Sequence, residues 1–402
     1  MPQRATLHTR ITATMPFYAR QGALPEKRHI QFRKPDGGLY TEELLSTKGF
    51  ESVYSLLYHL RPPTATLEVA SWDRPLVRFH LNDPLLNRHF RAKRVLSRGN
   101  AVEARVPLLG NDDVVISIAE ATEPMEWFYR NATGDELLFI HSGDGVVETV
   151  FGDVAYREHD YVLIPCGTTY RFQPSKPTRM LVHESSGAFA IPKKYRNPFG
   201  QLEEHAPYYE RDFRPPVLTD PVDRQGRFEL RVTSRGRAAI YTLQNHPFDV
   251  VGWDGYCYPW AFNAAAFSPH VGQVHLPPPV HQTFDAPGAA LCLFAPRPFD
   301  FHPQAIPVPY VHSSVDCDEV LYYVSGNFMS RRGIETGSVT LHPAGAWHGP
   351  QPGTVEGSLG ATSTDELAVM VDTFRPLRLT NDAFTVEDEA YFKSWATPEA
   401  VR

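Results

Sequence analysis

Cysteine is scarce in this chain. Four thiols, Cys166, Cys257, Cys292 and Cys317, stand in 402 residues, and no two of them form a Cys-x-x-Cys pair. So sparse a set does not make a disulfide framework, and reduced thiols in a cytoplasmic protein are expected. Cys317 falls inside the candidate site described below, where it reads as a small packed residue. No apolar run approaches the roughly 18 residues of a membrane helix, so none is expected. The opening MPQRATLHTRITATMPFYARQG lacks the apolar stretch of a signal peptide. A basic stripe is missing too. Lys and Arg number 39 against 46 Asp and Glu, for a net charge of −7, and the best basic cluster is Arg91–Arg94. That balance argues against nucleic acid as a partner. Phosphate-loop and dinucleotide signatures are absent, which removes support for phosphoryl or hydride transfer.

Helical periodicity is also rare. Two stretches carry it, Thr41 to Tyr58 and Val386 to Ala396, and both are expected to be helices. Elsewhere short Val, Ile, Phe and Tyr runs are broken by Gly, Pro, Asp and Asn. Asp113 to Ala121, Glu136 to Gly145 and Tyr161 to Phe172 are examples. Many short strands at regular spacing indicate an all-β protein of sandwich or barrel type. Hydrophobic residues make up 42%, and the 36 prolines and 27 glycines are dispersed, as in a folded, turn-rich chain. The length suits more than one domain.

One pattern occurs twice. Glu136 is followed by Gly143, then by Pro165, Gly167 and Tyr170; Glu319 is followed by Gly326, then by Pro343, Gly345 and His348. Each copy reads as strand, glycine turn, strand, Pro-x-Gly turn and one more inward position. Such a repeat implies two copies of one barrel. The expected division is an amino-terminal arm and first barrel over 1–190, a connecting segment over 191–243, and a second barrel over 244–402.

The two copies differ in their polar residues. In the second, His312, Glu319 and Gly326 match the spacing of one cupin motif, and Gly337, Pro343, Gly345 and His348 fill a second, G(X)5PxG(X)2H. Ser314 stands where the first motif usually has another histidine. What remains, His312, Glu319 and His348, is two imidazoles and a carboxylate. Three such ligands on one face leave the opposite face open for substrate and O2, which suits Fe(II), although Mn and Zn accept the same donors. Glu319, Leu321 and Tyr323 alternate with Val320, Tyr322 and Val324, so one set faces into the barrel. In the first copy Tyr129 and Tyr170 replace the histidines, and only Glu136 remains, as a buried carboxylate with a partner such as Arg130. That copy is expected to be structural, a jelly-roll-like barrel packed on the other.

The segments Val250 to Asn263, Val274 to Phe284, Pro307 to Arg331 and Leu341 to Pro350 resemble homogentisate 1,2-dioxygenase. The amino-terminal RHIQFRKPDGGLYTEEL and SLLYHLRPPT are similar to the same family, in its shorter bacterial branch. The resemblance begins near Met15 and is most specific in the second half. It implies a bicupin that holds Fe(II) on His312, Glu319 and His348. It also implies cleavage of the ring of homogentisate with O2 to give maleylacetoacetate, a step of tyrosine breakdown, in a homo-oligomer.

The resemblance further implies a histidine base that takes a phenolic proton. By position this is His275, with His281 as the rival, and an imidazole has the near-neutral pKa the task needs. His342 falls where the family has a site histidine, in reach of a substrate carboxylate or hydroxyl. Tyr323, Arg297 and His348 are candidates to orient substrate. Phe328 replaces a tyrosine that contacts substrate in better-known members, and loss of that hydroxyl widens or changes substrate choice. Gentisate or a hydroquinone is therefore an alternative substrate. A metal-dependent enzyme that does not use O2, or a metal-binding bicupin, is the alternative function.

Overall fold

The computed structural model describes residues 17–74 and 77–396. Residues 1–14, whose place in the fold the sequence left open, lie outside them. Among the described residues the chain is built of strands, with two α-helices of 5 residues each, Thr354–Ser358 and Asn381–Thr385. No helix among them is long and apolar enough to cross a membrane. All four cysteines are free.

A seven-stranded and an eight-stranded sheet form the first barrel. Its interior is filled by alternate residues of the two sheets, among them Leu138, Ile140, Val147, Val162, Phe172, Met180 and Val182, all buried. The residues between them on the same strands, such as Leu137, Phe139, Leu163 and Leu181, point out of the barrel into a larger core. There they meet Val320, Tyr322 and Val324 of the strand Asp318–Ser325, with Leu291, Leu293, Val369 and Val371 from its neighbours. Burying one such side chain is favourable by about 1.5–3 kcal/mol, so this back-to-back contact unites the two halves.

The second barrel is less regular. A six-stranded sheet in the order Gln282–Ala286, Ala289–Phe294, Leu367–Thr373, Asp318–Ser325, Val339–His342, Arg88–Phe90 forms one wall. Short segments close the other side, including the strand pair Arg297–Pro298 and Ser363–Thr364 and an antiparallel bridge between His312 and His348. The alternation expected from sequence holds, because Leu321 and Tyr323 turn inward onto Cys292, Phe328 and Met370.

Strand pairing runs across the boundaries expected near 190 and 243. Arg88–Phe90, from the first half, is an edge strand of the second barrel's sheet. Gln225–Ser234, inside the expected connector, pairs in parallel with Phe128–Asn131 of the first barrel. Trp260–Asn263 pairs with Asp160–Ile164 of the first barrel, and Arg378–Leu379 with its strand Val106–Gly110.

Neither long helix exists. Thr41 to Tyr58 is a hairpin in which Thr41–Ser46 pairs with Tyr54–His59, with Thr41 opposite His59. The chain reverses at Lys48 and Gly49, whose φ of 51° and 67° are left-handed and cannot continue a right-handed helix. In Val386 to Ala396 only Tyr391–Trp395 is helical, as a 3-10 turn. Backbone groups that a helix would use are taken by the segment 89–91: Arg91 N–H donates to Val386 O at 2.8 Å, and Asp388 N–H to His89 O at 2.8 Å.

Candidate metal centre

The Pro-x-Gly turn holds His348 in place. Gly345 takes the left-handed φ of 80° that closes the turn, and its N–H donates to Ser314 O at 2.6 Å. Asp318 pins both sides, accepting from Ala344 N–H at 2.8 Å and Leu377 N–H at 2.7 Å. Beyond the turn, His348 and His312 exchange backbone hydrogen bonds of 2.9 Å in each direction. Two histidines far apart in sequence are thereby clamped side by side.

Glu319 reaches them from the neighbouring strand. Its Oε2 lies 3.8 Å from His312 Nε2 and its Oε1 3.6 Å from His348 Nε2. One donor atom from each of the three residues falls within 4.8 Å of the others. Each imidazole turns its Nδ1 to a backbone carbonyl, His312 to Tyr310 O at 3.1 Å and His348 to Ala346 O at 3.0 Å. A donating Nδ1 leaves the Nε2 lone pair free for a metal. His348 Nε2 is buried and has no hydrogen-bond partner among the described residues. A buried polar atom with no partner is costly, and a cation between the three side chains would satisfy it. The residues therefore fit a divalent metal. Burial opposes ionisation of Glu319, but the imidazoles of His312, His342 and His348 around it hold its carboxyl well below the usual carboxylate range. An ionised carboxylate is what ligation requires. The side chain of His312 is 30% exposed, so the centre opens on that side.

His342 stands behind the triad, fully buried and not at its mouth. Its Nδ1 lies 2.8 Å from Glu319 Oε1 and its Nε2 3.2 Å from the hydroxyl of Tyr391. Burial pushes its pKa down to about 4. A neutral imidazole donates from one nitrogen only, so Nδ1–H serves Glu319 and Nε2 accepts from Tyr391. Both of its nitrogens are thus engaged by protein side chains, and none of its surface reaches solvent.

The other candidates spread over the barrel interior and its mouth. Tyr323 and Phe328 pack edge to face at 4.8 Å inside the barrel, and the Tyr323 hydroxyl lies 3.4 Å from Thr340 Oγ1. His275 packs its ring edge to face on Tyr310 at 5.0 Å, and Tyr310 lies 6.3 Å from His312. Burial lowers the pKa of His275, against the pull of Asp300. His281 and Arg297 share Phe294, at 5.1 Å and 5.8 Å from its ring. Burial, then Arg297, pushes His281 down to about 3, and its Nδ1 has no partner among the described residues. Sequence reasoning missed Tyr391, Arg331 and Asp372. Arg331 is half-buried beneath the site, bonded to Gly349 O and packed over Trp395. Asp372 pairs with Glu319 across the strands, and burial followed by Glu319 raises its carboxyl to about 7. No local spacing announces these three; they meet the site only through folding.

In the first barrel an internal cation takes the corresponding place. Arg105 binds Glu136 directly, lies 3.0 Å from Glu184 Oε1, and donates to the Tyr170 hydroxyl at 3.0 Å. Tyr170 donates to Glu136 Oε2 at 2.7 Å. The expected partner, Arg130, is turned instead to Thr169 Oγ1, at 2.7 and 2.9 Å. It sits on the strand beside Thr169, so its side chain points out of the barrel while Tyr129 and Asn131 point in. A cavity of about 1000 Å³ opens above Arg105 and Glu184. Its floor carries the Arg105 guanidinium between Glu136 and Glu184, a cation where the second barrel has its histidines.

The fold is that of a β-barrel protein whose second barrel carries a cluster of two histidines and a carboxylate that could hold a metal ion. Residues 101–264 match the family described as homogentisate 1,2-dioxygenase N-terminal. A Saccharolobus solfataricus protein named "Putative dioxygenase" is 40% identical over 386 residues, which cover 95% of this chain and 100% of that one. The homogentisate 1,2-dioxygenase of Bradyrhizobium diazoefficiens is 28% identical over 286 residues, 66% of this chain and 62% of the enzyme. That of Emericella nidulans is 27% identical over 252 residues, 59% of this chain and 54% of the enzyme. The match thus spans less than two thirds of these two enzymes. The chain belongs to the homogentisate 1,2-dioxygenase family, and is a bicupin dioxygenase at that level.

Proposed function

We propose that this chain is an Fe(II)-dependent ring-cleaving dioxygenase whose substrate is homogentisate, converted with O2 to maleylacetoacetate. One observation carries the reading: the buried, unpartnered Nε2 of His348 beside ionised Glu319 and His312, a donor set for one divalent ion. Fe(II), when bound, supplies the redox chemistry that lets O2 react with an aromatic ring. The chain's own residues then bind and orient the diphenol and move its proton.

His275 is assigned as the base that accepts a phenolic proton. It stands by Tyr310 on the open, His312 side of the centre, and its lowered pKa keeps the imidazole neutral and able to accept. His281 is the weaker choice, because an imidazole held near 3 has little affinity for a proton. Arg297 would orient an anionic substituent at the mouth, and Tyr323 with Phe328 would face the ring. Val311, Val315 and Trp347 leave an apolar rim around the mouth, 63%, 82% and 79% exposed. Such a rim favours association, and a cytoplasmic homo-oligomer is proposed with the activity.

A second reading is favoured by Phe328, which brings no hydroxyl into the barrel interior. In that reading another para-diphenol, gentisate or hydroquinone, is the substrate. Protein loaded with Fe(II) under anaerobic conditions is mixed with each diphenol and O2, and O2 uptake and ultraviolet absorbance are followed. Fast turnover of homogentisate alone supports the first reading. Preference for another diphenol supports the second. Metal binding with no O2 uptake on any diphenol sinks both.

A further inference from the structure

The carboxy-terminal turn Tyr391–Trp395 comes from outside both barrel sheets and closes the floor of the metal centre. Its residues touch the centre at separate points. Tyr391 offers its hydroxyl to His342 Nε2 at 3.2 Å and stacks on that imidazole, with rings 6.3 Å apart at 24°. Trp395 packs its edge on His342 at 6.3 Å and donates from Nε1 to Gly349 O at 3.0 Å, one residue past His348. Gln351 donates to Ser394 Oγ at 2.6 Å. His342 in turn stacks on His348 at 4.5 Å and 13°. The stack from Tyr391 through His342 to His348 and the hydrogen bonds from Tyr391 through His342 to Glu319 thus converge on two of the three ligands.

We infer that Tyr391 is a positioning residue for the metal centre, acting through His342 on Glu319, and that the turn Tyr391–Trp395 is the latch that holds the ligand set in register. This rests on the reading of His312, Glu319 and His348 as metal ligands. The physical reason is directional. A carboxylate at a metal can rotate, and an N–H fixed at 2.8 Å from Oε1 restricts that rotation. His342 can present that N–H only if its own tautomer and tilt are held, and the Tyr391 hydroxyl holds them. Because the effect runs through binding, it is reciprocal: a metal on the triad should also order the turn.

The test uses the full chain and Mn(II) or Co(II) as probes. Tyr391→Phe keeps the ring and its stack and removes only the hydroxyl. Affinity is measured by chelator competition, and the Co(II) visible spectrum reports ligand geometry. Phe392→Ala, at a residue 46% exposed on the same turn, is the control. The expected result is a metal affinity at least about 10-fold weaker for Tyr391→Phe, with an altered Co(II) spectrum, and no change for Phe392→Ala. His342→Asn, whose amide can still donate to Glu319, should bind more tightly than His342→Phe. Metal should slow hydrogen exchange in 391–395 of the wild type and do so less in Tyr391→Phe. Wild-type affinity and spectrum in Tyr391→Phe overturn the inference and leave the family reading untouched. Equal weakening by Phe392→Ala overturns it as well, since the turn would then act only by general packing. A wild-type chain that binds neither ion overturns this inference and the ligand assignment together.

Discussion

His342 Nδ1 lies 2.8 Å from Glu319 Oε1, directly across two paired strands, and no part of His342 reaches solvent. The carboxylate that faces two imidazoles on one side is therefore held by a third from behind. For the metal proposed here, such an arrangement would be preorganised, with the carboxylate already oriented before an ion arrives.

Glu319→Ala is expected to remove metal and activity together. Loss of an inner ligand should weaken affinity by more than the roughly 10–100-fold typical of an outer partner. Metal content after dialysis and turnover under saturating Fe(II) check this. Retained metal with lost activity would contradict the ligand assignment.

His275→Ala should leave metal content unchanged and slow turnover by about 10²–10⁴-fold, the usual contribution of a positioned acid or base. His281→Ala should do less. If His275→Ala loses the metal, the base assignment is wrong.

Arg105→Met should destabilise the first barrel by about 3–5 kcal/mol, because Glu136 is then left buried without its cation. Urea unfolding at neutral pH measures it. An unchanged unfolding midpoint would mean the guanidinium is dispensable.

His59 ties the amino-terminal hairpin to the strand that follows Asp249. Burial disfavours its charge, but Asp249 at 2.6 Å and Glu43 at 2.8 Å raise its pKa to about 9. A histidine raised on folding contributes stability that is fully present below its unfolded value near 6.5 and is lost as pH rises to about 9. The loss is at most roughly 3–4 kcal/mol, at about 1.4 kcal/mol per tenfold change in proton affinity. Urea midpoints between pH 6 and 9.5 should fall in the wild type, and His59→Gln should flatten that fall. A parallel fall in both would remove His59 as its source.

The proposed ligand triad could be read from the sequence because its spacing is local. Gly337, Pro343, Gly345 and His348 lie within one turn and its flanks, and the inward face of Asp318–Ser325 follows from a period of two. The helices were misjudged for the opposite reason. Leu44, Leu45, Leu56 and Leu57 have helical spacing, but Lys48 and Gly49 reverse the chain between them.

By itself, then, the sequence determined an all-β chain with two related barrels, and in which of the two the proposed ligands lie. Only the tertiary structure decided that Arg105 neutralises Glu136, that His342 serves Glu319, and that Tyr391 stands behind His342. The reason is physical. A turn motif carries its geometry in adjacent backbone dihedrals, whereas a hydrogen bond between residues 23 or 49 positions apart exists only after strands have paired and a core has closed around it.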